Sequence, residues 1–180
     1  MLLEMTLAAL VLIGGATAFI FGLAGSLPDE RKVKREIATK RVMRISSLID
    51  GAPAAIRGNV VAGREGLVTA PISGRPCVYW MVVEGKRHGK SGGHAFVVED
   101  GTGTARVVPI DARLAVPSVR QEADDGAVEY AILPGTTITV VGWCTFETNP
   151  DAVAEVTGYR KELPTRPVVS GTRRQRLLIA

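Results

Sequence analysis

Two cysteines, two histidines and a few clustered acids are the side chains here that could serve as nucleophile, base or metal ligand. Cys77 and His94, with Asp100 close behind, form the one Cys–His combination, so a Cys77-dependent hydrolase or transferase is one reading. The surroundings argue against it. Cys77 opens the apolar run Cys77-Val78-Tyr79-Trp80-Met81-Val82-Val83, where a thiol packs as a small hydrophobe, with no glycine elbow or helix start to lower its pKa. Cys144 lies deep in TTITVVGWCTF (136–146) and reads as core. His88 sits among Lys86, Arg87 and Lys90, and the four possible zinc ligands lack paired spacing. Glu122, Asp124 and Asp125 begin like a calcium loop but have neither its 12-residue frame nor its closing Glu. The glycines of 85–93 do not fit the phosphate-loop frame, and they lie between two strand patterns rather than before a helix. No catalytic residue, cofactor-binding residue or metal ligand is assigned, no cofactor is expected, and no small-molecule substrate is identified.

The elements that would position these groups begin with a membrane anchor. Residues 5–27 form an uncharged run of 23 residues. As a helix it reaches roughly 34 Å, against a hydrocarbon core of about 30 Å. Seven basic residues follow within Arg31–Arg44, whereas Glu4 is the only charged side chain before the run. Positive-inside bias predicts a single-pass protein with its N-terminus outside and everything after the helix in the cytoplasm. The n-region MLLE has no basic residue, and the apolar run is longer than a secretory h-region, which argues against a cleaved signal. Ala38, Val42, Ile45 and Ile49 fall on one helical stripe, which predicts a basic juxtamembrane helix over 29–50, stopped by Asp50-Gly51 and Pro53.

Beyond it the composition turns to β structure. Short runs rich in β-branched and aromatic residues recur at 58–62, 67–70, 77–84, 95–99, 104–110, 128–133, 136–146 and 166–170, separated by Gly, Pro and Asp turns. The runs 77–84, 95–99 and 104–110 predict a meander, with 85–93 as a basic, glycine-rich loop tip and 122–126 as an acidic one. The fold class expected is mostly β: a small OB-like barrel or sandwich, preceded by one transmembrane helix and a juxtamembrane helix. In domains this gives the anchor at 1–28, the linker helix at 29–50, the β domain at 51–172 and a basic tail at 173–180. A chain of 180 residues with 46% hydrophobic residues holds enough apolar material for a core, which excludes disorder of the whole.

Several blocks taken in order resemble a known family. They are Ser47-Leu48-Ile49-Asp50-Gly51; Ala70-Pro71-x-Ser73-Gly74-Arg75-x-Cys77-Val78-Tyr79; Phe96-x-x-Glu99-Asp100-Gly101-Thr102-Gly103; Glu129-x-x-Ile132-x-Pro134-Gly135; and Pro167-Val168-Val169-Ser170. Across roughly 46–172 the chain resembles the GIDE family, whose beside-a-membrane domain also occurs in the mitochondrial membrane E3 ubiquitin ligase. The resemblance implies a β domain working next to a bilayer. It does not bring ligase activity, because the eukaryotic ligase depends on a zinc-binding RING, and these 180 residues hold two cysteines and no RING. Leu177-Leu178-Ile179-Ala180 is too short to be the second membrane helix that many members carry.

The function expected is a non-catalytic protein-binding or scaffold module facing the cytoplasm, in membrane stress or organisation. It is held to the lipid bilayer through residues 5–27, and its partner is another membrane protein or a second copy. The alternatives are single-stranded nucleic-acid binding by an OB-like barrel and a Cys77-dependent enzyme. Nucleic acid is not expected as a partner, because the basic tip 86–90 carries no aromatic ring for base stacking.

Overall fold

A computed structural model describes residues 28–84, 87–115, 120–123, 126–149 and 164–180. The anchor expected at 5–27 lies outside the described residues, among which no helix is long and apolar enough to cross a membrane. The chain divides into two compact units, Met1–Lys32 and Val33–Ala180.

One helix, α1 (Pro28–Ala38), occupies the start of the expected juxtamembrane helix, which ends well short of residue 50. Thr39 terminates it, with its hydroxyl donating to the Glu36 carbonyl at 2.7 Å. The chain then turns extended: the Met43 amide donates to the Ala55 carbonyl at 2.8 Å, and a 3-10 turn follows at Ile45–Ser47. The helical stripe is broken because Ile45 and Leu48 are buried in the β unit, which leaves Val42 and Ile49 exposed. Tertiary burial of two residues has overridden a local pattern of four.

Thirteen strands follow among the described residues: β1 (Ala52–Val61), β2 (Val68–Thr69), β3 (Pro76–Cys77), β4 (Tyr79–Glu84), β5 (Arg87–Gly93), β6 (Phe96–Glu99), β7 (Thr104–Val108), β8 (Arg113–Leu114), β9 (Arg120–Glu122), β10 (Ala127–Ile132), β11 (Thr137–Thr148), β12 (Thr165–Ser170) and β13 (Leu178–Ile179). Five of them close a barrel in the order β1-β6-β7-β12-β11, with β11 returning to β1. Every contact around it is antiparallel except β7 with β12. Alternate residues fill the interior: Phe96 and Val98, Ala105 and Val107, and Val140 and Cys144 are all wholly buried, the period-2 pattern that a strand imposes. Gly58 lets β1 approach β6 closely, because a Cβ there would run into the Glu99 carbonyl.

Four of the remaining strands build a second sheet, β5-β4-β10-β9, from chain inserted between β1 and β6 and between β7 and β11; β2 and β3 pair with each other, and β13 and β8 extend the first sheet beyond β11. The expected meander is therefore only partly present. β6 and β7 form its hairpin, whereas β4 pairs with β5 and β10 in the other sheet. Residues 87–93, expected as a loop tip, form strand β5. Its glycines are compensated across the strands, where Trp80 lies opposite Gly92 with its ring so close that a Cβ would come within 2.8 Å of it. Residues 173–180, expected as a basic tail, include an apolar strand. Leu177, Leu178 and Ile179 are buried, and β13 pairs with β11 and β8. Leu178 joins Val33, Ala55, Ala115 and Val141 in one apolar cluster.

Candidate binding surface

Among the described side chains, Cys77, His94, Cys144 and Asp100 each have a structural setting. Cys77 is wholly buried in a cluster with Ala70 and Ala131. Burial, with the nearby Glu129 carboxylate adding to it, pushes its thiol pKa up to about 11, the reverse of what a nucleophile needs. The backbone of His94 does adjoin this strand, its amide donating to the Val78 carbonyl at 2.9 Å. Its imidazole is engaged elsewhere, with Nδ1 3.2 Å from a Glu65 oxygen. Cys144 is buried too, and desolvation together with the charge of Asp50 raises its pKa.

Asp100 works as a clamp. One carboxylate oxygen accepts from the Thr102 amide at 2.8 Å, the Thr102 hydroxyl at 2.7 Å and the Gly103 amide at 3.2 Å; the other accepts from the Ile45 amide at 2.8 Å. Partial burial raises its pKa, but the four hydrogen bonds outweigh that and hold the carboxyl below the ordinary range. The Glu-Asp-Gly-Thr-Gly block is thus the turn of the β6–β7 hairpin and also the fastening for the 3-10 turn at Ile45–Ser47. Lys86, Asp124 and Asp125 lie outside the described residues, as do the side chains of Arg87, His88 and Glu122. Among the described residues no group of three potential ligands could hold a metal ion.

Two polar features had no role assigned from sequence. Glu129 sits in the middle of Ala127-Val-Glu-Tyr-Ala-Ile132 at 0% exposure. Its carboxylate accepts from the amides of Ile72 at 2.6 Å and Ser73 at 3.2 Å, pinning the Ala70–Gly74 turn against the second sheet. The signal was present as a lone acid in a strand otherwise entirely apolar. The second feature is a chain of charges across the barrel wall: Glu65 to Arg106 at 3.5 Å, Arg106 to Glu147 at 3.5 Å, and Glu147 to Arg166 at 2.8 Å. Its members are separated by up to a hundred residues in sequence, so no local pattern reveals it.

The second sheet ends on β5 at one side and on the three-residue β9 at the other, and β5 is the longer edge. Among the described residues no strand pairs with the outer side of β5, a strand whose sequence includes Arg87, His88 and Lys90. Over one face of the same sheet, spanning β10, β4 and Lys90 of β5, lies a hollow of about 230 Å³ with Ile72, Trp80 and Val82 on its walls and Glu84 and Lys90 among its polar lining residues. An unpaired strand edge with an apolar hollow over its sheet has the parts that strand addition uses: backbone groups for affinity and a pocket for a side chain. Compared with family models, with curated proteins and with solved structures, the chain matched nothing.

Proposed function

We infer that this protein is a membrane-anchored, non-catalytic binding module whose β domain faces the cytoplasm and takes up a partner along the edge of β5. The observation that carries the reading is that open, basic edge with the Trp80 hollow over the same sheet. The occupied state of the chemical candidates supports it: Cys77 is buried as a high-pKa thiol, His94 is paired with Glu65, and Asp100 is saturated by four hydrogen bonds. The GIDE-like blocks fit the same reading, since Asp100, Gly103 and Glu129 serve turns and packing. An anchor at 5–27 would hold the domain close to other membrane proteins, where effective concentration favours even a weak interface.

The barrel supports the OB-like description at the level of strand order. In chain order its five strands run 1-2-3-5-4 around the barrel, with the third and fifth parallel. An OB-like barrel raises single-stranded nucleic acid as a second reading. The hollow at the barrel end opposes it. Arg57, Asn59, Glu99, Asp100 and Thr137 are among its lining residues, which include one cation, two carboxylates and no aromatic ring.

The test is photocrosslinking from position 90 in intact membranes. A defined adduct with a membrane protein or a second copy is expected, and reversing the charges of Lys86 and Arg87 together should remove it. No adduct, or an adduct indifferent to the reversal, would overturn the assignment of the edge. Turnover by the purified chain that Cys77→Ala abolishes would overturn the non-catalytic reading.

A further inference from the structure

Between α1 and β1 the chain holds an apolar and basic surface that the β5 edge does not explain. Ile49 is 67% exposed, Val42 47% and Phe146 39%. Their exposure is imposed by the fold. The Met43 backbone is bridged to β1, Ile45 is buried with its amide on Asp100, and Leu48 is buried, so Val42 and Ile49 are left on the outer side of a fastened segment. Phe146 belongs to the same neighbourhood, because its amide donates to the Asp50 carboxylate at 2.8 Å and the Gly51 amide bonds to Cys144. Arg41, Val42, Arg44 and Ser47 line a hollow of about 430 Å³ here.

We propose that this surface, Lys40, Arg41, Val42, Arg44, Ile49 and Phe146, docks on the anionic face of a lipid bilayer. Charge selects that occupant. Three basic residues lie within Lys40–Arg44, and no acid occurs from Lys40 to Ile49; Asp50, the first one, is engaged by the Phe146 amide. Cations interleaved with exposed aliphatic and aromatic side chains match the headgroup region, which offers phosphates above an apolar boundary. A bilayer is also the surface nearest in the chain, for Lys40 follows the end of the apolar run at Leu27 by 13 residues. The inference rests on the membrane-anchored reading and adds that the β domain lies against the leaflet, with its approach set by lipid charge.

The experiment uses the full chain in nanodiscs of phosphatidylcholine alone or mixed with phosphatidylserine, with an environment-sensitive fluorophore on Ile49→Cys. The buried Cys77 and Cys144 stay unlabelled in the folded protein. With phosphatidylserine present, the emission should shift to the blue and be quenched by a lipid carrying a spin label near its headgroup. The Lys40→Glu, Arg41→Glu, Arg44→Glu variant should lose both effects while remaining in the disc. A chain that enters the disc but gives the same unquenched emission in both lipids overturns the docking and leaves the anchor intact. A chain that does not enter either disc overturns the anchored reading and the docking with it. Wild-type melting of the triple variant excludes misfolding as the cause of any loss.

Discussion

Glu129 and Asp100 hold backbone amides in place, and both lie in blocks that could be mistaken for chemistry. Glu129 is wholly buried and accepts two amides from the Ala70–Gly74 turn. Removing it as Glu129→Ala orphans both donors and opens a cavity, which should lower stability by about 3 kcal/mol. Glu129→Gln keeps the volume but sets an NH2 group against one amide, so about 1–2 kcal/mol is expected. Urea unfolding of the full chain in detergent gives both numbers, and equal midpoints for all three proteins would dismiss the role. Asp100 makes a prediction in pH. Its folded pKa is depressed, so its contribution is fully present above the unfolded value near pH 3.9 and is lost as pH falls through the lower folded value. The stability gap between wild type and Asp100→Asn should therefore stay flat from about pH 7 to about pH 5 and close in stronger acid. A gap that widens on acidification would contradict the sign.

At the scale of elements, close approach of strands explains glycines that propensity alone leaves unexplained. A Cβ at Gly58 would meet the Glu99 carbonyl and, at 2.9 Å, a Val98 methyl, both fixed in the barrel wall. Gly58→Ala should cost about 3 kcal/mol, because backbone must move. At Gly92 the obstacle is the Trp80 ring, a side chain that can swing, so Gly92→Ala should cost about 1 kcal/mol and change the tryptophan emission. Thermal melts with fluorescence separate the two cases, and an equal cost at both sites would refute the distinction. The same contrast governs what was legible in the sequence. Strands such as Phe96–Glu99 and Thr104–Val108 announce themselves by β-branched residues and a tight Asp-Gly turn, because those signals are local. Partner choice is not local. Tyr79–Glu84 pairs with Ala127–Ile132, nearly fifty residues on, while Arg87–Gly93 reads as a loop until the facing Trp80 and Met81 are known. The candidate surface followed suit: the basic character of 86–90 was legible, but the pairing of Arg87–Gly93 with β4 as the end strand of a sheet was not.

For the molecule as a whole, the barrel depends on a segment whose sequence looks like a basic tail. Arg173, Arg174 and Arg176 are exposed, yet Leu177 and Ile179 are wholly buried and Leu178 nearly so. The backbone there is tied on both sides: Arg113 and Ala115 donate to Leu177 and Ile179, and Thr139 and Ala180 exchange a pair of bonds at 2.6 and 3.0 Å. Each aliphatic side chain contributes about 1.5–3 kcal/mol by burial. Three of them together rival the whole stability of an ordinary domain, about 5–15 kcal/mol. Deleting residues 177–180 should therefore abolish folding, read as loss of soluble or detergent-extractable monodisperse protein. Leu178→Ala, which keeps the backbone bonds, should fold and lose about 3 kcal/mol. Arg173→Ala with Arg174→Ala, four or five positions away on the exposed stretch, should change stability by less than about 0.5 kcal/mol. If the deletion melts like the wild type, the segment does not support the barrel, and the cluster of Val33, Ala55, Val141 and Leu178 contributes nothing to holding the β unit together.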